Sequence, residues 1–525
     1  MGDGSVVDEV LGMTLGQQAT GVGVVNLDGA STQMLVSGDG QIGLRGNGRM
    51  EVHNGATFRA LDHLVPLGVE TGSTGELNVS GSNSFFQIDS GPGNLWLVGD
   101  AGSGTVNISD QGRISSGYGI LANDVGSFGR VHLTGEGANW TTYLGITVGQ
   151  AGDGELVIEN GATLFSNFGA AGTYIAREAG STGKASVSGQ NSLWRLGGFI
   201  TVGSGGTGEL EIHSGGSVQT GSGFVGGRDG GVGKLTITGQ GSQWIGGSSG
   251  FTVGSEGEGE ALVTDGGRLS LSGSLADLNI GGSVGGKGTL IVEGPDSVVD
   301  VSRNLFIGGR FVGGSPPGPQ SGGEGTLIIR DGATVNIGGE MRLFGDGHLV
   351  LESGLLQITR INLFASSGQF SQLGGTLSVD TIWGDFVFSE GQLTSSFLDS
   401  RLEIDGDFEL GADATLYLNL RGTGANAYDT VEIDGDGIID GTVLIDLDDG
   451  FSPTLGTVFN LIDADSFAGD TQFQFTGGPL AAGLTWDTTH FFTNGTVSIA
   501  AVPEPSGIAM LMLVAAGLAS RRRRR

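Results

Sequence analysis

A glycine-led unit recurs along most of this chain, and its spacing leaves little freedom in what the chain can fold into. Thirteen copies begin at Gly23, Gly48, Gly75, Gly104, Gly129, Gly154, Gly183, Gly208, Gly233, Gly259, Gly288, Gly325 and Gly347, mostly 25 to 29 residues apart. The position two residues after each glycine is apolar in every copy, from Val25 to Leu349, and so is the position four residues after it, from Leu27 to Leu351. Such alternation marks a strand with one buried face. A second strand recurs later in many copies, as in Ile146-Thr147-Val148 and Ile200-Thr201-Val202. One unit alone cannot bury its inner face. Stacked at ~4.8 Å per coil, thirteen units make a continuous core about 60 Å long. The spacing therefore predicts an all-β fold, a right-handed parallel β-helix over residues 1–365.

Composition agrees. Of 525 residues 106 are Gly and only 10 are Pro, which excludes a helical protein. The glycines follow no three-residue period and alternate with Val, Leu and Ile, which excludes collagen and a disordered linker. The formal charge of −32 makes nucleic acid an unfavourable partner, and there is no Cys for a disulfide or thiolate site.

The copies alternate in type. Eleven residues after every second glycine stand Met34, Phe86, Trp140, Trp194, Trp244 and Val299, so the full period is a pair of coils. Trp140, Trp194 and Trp244 have two readings: an internal ladder of rings, or a carbohydrate-contacting strip. The segment Met13-Thr14-Leu15-Gly16-Gln17 reads like Ile146-Thr147-Val148-Gly149-Gln150. From that likeness we expect a signal peptide and a capping segment upstream of this sequence.

Coils of the form Ser188-Gly189-Gln190-Asn191-Ser192-Leu193-Trp194 resemble the repeats of type V secretion (autotransporter) passengers and PEP-CTERM proteins. The resemblance implies an exported, β-helical surface protein. After a transition over 366–400 the glycine marker is lost while alternation persists, as in Leu416/Leu418/Leu420 and Val443/Ile445/Leu447. A separate, small β-sandwich-like domain is expected over 401–499. It is similar to the module that often precedes a PEP-CTERM tail, most recognisably at Gly483-Leu484-Thr485-Trp486-Asp487.

Residues 500–525 resemble the PEP-CTERM sorting signal in all three of its parts. Pro503-Glu504-Pro505 is followed by the apolar run 507–520 and then by Arg521, Arg522, Arg523, Arg524 and Arg525. The resemblance implies that Pro503, Glu504 and Pro505 form the processing signal for an exosortase, a membrane transpeptidase of bacteria that make exopolysaccharide. The expected partners are that enzyme, the export machinery, the inner membrane in transit and exopolysaccharide. Fourteen helical residues reach roughly 21 Å against a hydrocarbon core of ~30 Å, so 507–520 is expected as a short, marginal transmembrane helix. The five arginines keep its end in the cytoplasm and place the acidic body outside.

No catalytic constellation emerges. The six histidines are scattered, and Gly221-x-Gly223-x-x-Gly226 lacks the strand and helix that a dinucleotide fingerprint needs. Asp434, Asp436 and Asp440 read either as part of a calcium loop or as a solvated turn; no other cofactor or metal is expected. The expectation is a non-enzymatic rod at the cell surface or in the exopolysaccharide matrix. The rival readings are a β-helical polysaccharide lyase or hydrolase and a carbohydrate-binding adhesin. Against the enzyme, Asp110, Glu159, Asp265, Asp331 and Glu352 repeat at equivalent turns instead of gathering in one coil.

Overall fold

A computed structural model describes every residue except 2–3, 61–63, 89–93, 167–171, 248, 313–317, 365–367, 396–399, 425 and 504–525. The described residues are all-β apart from one short helix, Phe491–Asn494, and they wind as a β-solenoid. The chain divides into two compact units, Met1–Leu377 and Ser378–Arg525.

In the first unit each full coil supplies three strands to three parallel ladders. The longest strands, such as Ser103–Ser109 and Asp153–Glu159, form a 14-stranded parallel sheet. Its register follows the repeat: each of the first twelve leading glycines pairs with the leading glycine of the next coil, from Gly23↔Gly48 to Gly325↔Gly347. The apolar positions four residues after them are all buried. Those two residues after are buried as well, save Val25 in the first strand of that sheet, which is half-buried.

These glycines are required by close approach and not by a left-handed backbone. A Cβ added at Gly104 would lie 2.1 Å from the amide nitrogen of Gly99, at the corner just before it. The left-handed residues sit at a second corner, where two turn types alternate. Even coils use two adjacent residues with positive φ, in most an Asx-Gly pair as at Asn160 (55°) and Gly161 (85°); odd coils use a left-handed Gly, in most followed two positions on by a second left-handed residue, as at Gly189 (88°) and Asn191 (65°).

The second ladder holds the row with the two-coil period. Phe86, Ile114, Trp140, Leu164, Trp194, Val218, Trp244 and Leu269 follow one another coil by coil, so that rings alternate with aliphatic side chains. All are buried. The third ladder compensates in volume. A Cβ on Gly119 would stand 2.8 Å from the Trp140 indole, and one on Gly223 2.6 Å from that of Trp244. At Trp140 and Trp244 the residue facing the ring from the preceding coil is thus glycine because the indole occupies the space a side chain would need. Where the repeat interval is widest, Gly309–Val312 and Gly318–Ser321 pair antiparallel as an inserted arm.

The second unit departs from the expected sandwich. Its strands also pair in parallel: Thr381↔Glu403, Glu403↔Glu432 and Glu432↔Asp463 run down one ladder, Phe386↔Phe408, Leu416↔Val443 and Val443↔Phe473 down another. The physical reason is that alternation only states that one face is buried; it does not distinguish antiparallel pairing from coils of unequal length. Among the described residues, antiparallel strand pairing in this unit forms one small sheet, Val458–Asn460, Thr496–Ala501 and Leu484–Asp487, beside an isolated antiparallel bridge between Leu420 and Tyr428. Against its inner side pack Phe459 and Phe491, both fully buried.

Candidate functional site

The end of this small sheet delivers the chain to the tail. Thr496–Ala501 alternates buried Val497 and Ile499 with outward residues, which fixes the strand on the unit. One residue later the Val502 amide donates to the carbonyl of Gly483 at 2.9 Å, while the Val502 side chain is half exposed. Pro503, which has no N–H to continue a ladder, is exposed. The first residue of the proposed processing signal is therefore presented at the surface immediately after a pinned strand end. Glu504, Pro505, the apolar run 507–520 and Arg521 to Arg525 lie outside the described residues. Among the described residues no helix is long and apolar enough to cross a membrane.

Residues 501–525 match the PEP-CTERM protein-sorting motif. A PEP-CTERM signal marks an exported protein that transits a membrane and is processed by an exosortase. The body has a distant curated relative as well: the uncharacterized lipoprotein YdeK of Escherichia coli (strain K12) is 30% identical over 191 residues. That stretch is 34% of this chain and 13% of the relative, so the chain spans a small fraction of the relative's length. A solved hyper-glycosylated TibA fragment aligns over 85% of this chain and all of its own, at 14% identity and a TM-score of 0.31.

The tryptophans named as carbohydrate contacts cannot serve as such. Trp140, Trp194 and Trp244 are each 0% exposed, as is Trp96 in the third ladder. Their rings fill the interior, and a sugar has no face to stack on. The indole N–H of Trp140 donates to Ser116 Oγ at 3.0 Å, whereas those of Trp194 and Trp244 have no acceptor among the described residues.

The proposed calcium residues do not converge either. Asp434 and Asp436 lie along the strand Thr430–Ile439, with Asp440 just past its end, and their neighbours on adjacent coils hold them there. The Asp436 amide donates to Asp407 Oδ1 at 2.9 Å, Ser466 Oγ donates to Asp436 Oδ1 at 2.6 Å, and the Asp470 amide donates to Asp440 Oδ1 at 3.0 Å. One coil earlier the Asp407 amide donates to Asp385 Oδ1 at 3.0 Å. Asp385, Asp407 and Asp440 thus accept from backbone amides of the next coil, and Asp436 accepts from a serine hydroxyl there. Among the described residues no three metal-capable side chains gather at one point.

The repeated turn acids are likewise spread one to a coil. Asp110, Asp265 and Asp331 each occupy a left-handed turn position with φ of 49° to 54°. Glu159 accepts from His132 at 3.0 Å and Thr134 at 3.3 Å.

One recurrent contact escaped the sequence reading. The serine two positions before Phe86, Trp194, Trp244 or Val299 reaches back one coil and accepts from a turn amide there. Ser84 serves Gly55, Ser192 Gly161, Ser242 Gly215 and Ser297 Gly266, at 2.9 to 3.0 Å. The signal was present as a recurring Ser, but its partner stands some 30 positions earlier.

Proposed function

We propose that this chain is a non-enzymatic exported protein of the cell surface or exopolysaccharide matrix. In this reading the β-solenoid is a spacer or adhesive rod, and an exosortase acts on the tail at Pro503-Glu504-Pro505. The PEP-CTERM motif at 501–525 carries the export part of the reading. Its junction with the body supports access: Val502 is pinned to Gly483, and the next residue is exposed. Arg521 to Arg525 then hold the distal end of the tail in the cytoplasm while the body lies outside. A passive role is supported by how the acids are used. They sit in left-handed turns or accept from backbone amides and side chains of adjacent coils, so their spacing follows the solenoid and not a reaction centre.

The test is a tagged protein expressed in a host with and without its exosortase. Glu504→Ala is expected to leave export intact and impair processing, whereas replacing the five arginines by neutral residues weakens retention in the membrane fraction. Export lost in Glu504→Ala, or processing unchanged in it, contradicts the assignment of roles.

A further inference from the structure

The corner of the solenoid that spans Gln190 to Gln243 carries a groove of about 450 Å³. It is lined by Gln190, Asn191, Gln219, Gln240 and Gln243 together with Ser217, and no charged residue lines it. The groove offers no charge to pair with an ionic ligand, and the chain's formal charge of −32 disfavours anionic ones.

The five carboxamides are also unemployed. Elsewhere in the same outward rows, neighbouring coils bond to each other: Arg59 to Gln87 at 2.9 Å, Asn139 to Thr163 at 2.9 Å, Asn336 to Asp300 at 2.8 Å. None of the five groove carboxamides has a hydrogen-bond partner among the described residues, although Gln219 and Gln243 are half-buried. Ser217 Oγ is buried and likewise unpartnered. Each amide offers donors and an acceptor on one rigid plane, which matches the alternating donor and acceptor character of neighbouring hydroxyls. The half-buried Leu193 supplies apolar surface, and Gly215 and Gly241, without side chains, leave room for a ring beside it. The volume falls within the usual range for ligand sites, roughly 300 to 1,000 Å³.

We propose that this groove binds a neutral polyhydroxylated chain, an uncharged glycan, with Gln219 and Gln243 as the central contacts. The groove stands on its own geometry; the reading of the molecule as a matrix protein enters only in the choice of a polymer over a free sugar. Trp194 and Trp244 lie directly beneath, each one residue along from Leu193 and Gln243, and serve as internal reporters.

The experiment is a titration of the purified full chain with unbranched neutral gluco-, manno- and xylo-oligosaccharides and with uronate oligosaccharides. It is read by calorimetry and tryptophan fluorescence. At least one neutral series is expected to bind, the uronates are not, and the double variant Gln219→Ala/Gln243→Ala is expected to weaken binding by about tenfold or more while its melting temperature stays that of the parent. Failure of every neutral series to bind overturns the proposal, as does uronate binding of equal strength or a double variant that binds like the parent. None of these readings depends on tail processing, so a failure here is separable from a failure of the sorting assignment.

Discussion

Trp140 and Trp194 occupy equivalent positions two coils apart, yet among the described residues Trp140 has an acceptor for its indole N–H and Trp194 has none. The consequence is measurable. Removing either ring opens a large cavity in a packed interior, so Trp194→Ala is expected to cost about 3 to 5 kcal/mol in chemical denaturation. The phenylalanine variants separate the two sites. Trp140→Phe leaves Ser116 Oγ without its donor and is expected to cost about 1 kcal/mol more than Trp194→Phe, which discards only an unpaired N–H. Equal costs for the two would show that the Ser116 bond contributes nothing.

Tyr118 provides a titration at the same scale. Its hydroxyl lies 2.8 Å from Thr147 Oγ1 and donates to the Gly172 carbonyl, and burial pushes its pKa up to about 12. The unfolded phenol ionises near pH 10, so between about 10 and 12 the unfolded state binds fewer protons than the folded one. Stability owed to this group is fully present below pH 10 and is lost as pH rises through 12. Burial raises the Tyr417 phenol as well, so a spectrophotometric titration of the five tyrosines should show more than one ionising late, and Tyr118→Phe should remove the step at about 12.

At the scale of the element, the turn and the serine that supports it act together across two coils. Ser192→Ala strands the Gly161 amide at a part-buried corner and is expected to destabilise by about 1 to 3 kcal/mol. At the same corner Asn160 is left-handed with φ 55°, so Asn160→Ala should cost about 1 to 2 kcal/mol while Asn160→Gly is tolerated. Thermal melts of the three variants check the set; an alanine at 160 as stable as glycine would contradict the turn assignment.

These elements also show what could be read beforehand. The strands were legible because Gly104, Val106 and Ile108 pair in register with the same positions of every neighbouring coil, so one coil's pattern is all coils' pattern. The alternation of Trp140, Trp194 and Trp244 was legible as a period. Its side was not, because a row of rings looks the same in sequence whether it points inward or outward. The Ser192 contact was hidden for a different reason: it joins two coils, and a periodicity within one coil carries no information about the next.

Over the whole molecule the same limit explains the second unit. Between Thr381, Glu403, Glu432 and Asp463 the intervals are unequal and no glycine marks the start of a coil, so continued parallel pairing left no fixed period to detect. The tail was legible for the opposite reason, since its information is local: two prolines about a glutamate, an apolar run and a basic end, in that order. The central claim is that the solenoid body is exported and that the tail is processed near Pro503-Glu504-Pro505. It is tested most directly by the intact mass of the mature, surface-exposed protein recovered from its own host. The account predicts a C-terminus upstream of Arg521, with all five arginines absent; a mass that retains Arg525 on most of the surface-exposed protein would contradict it.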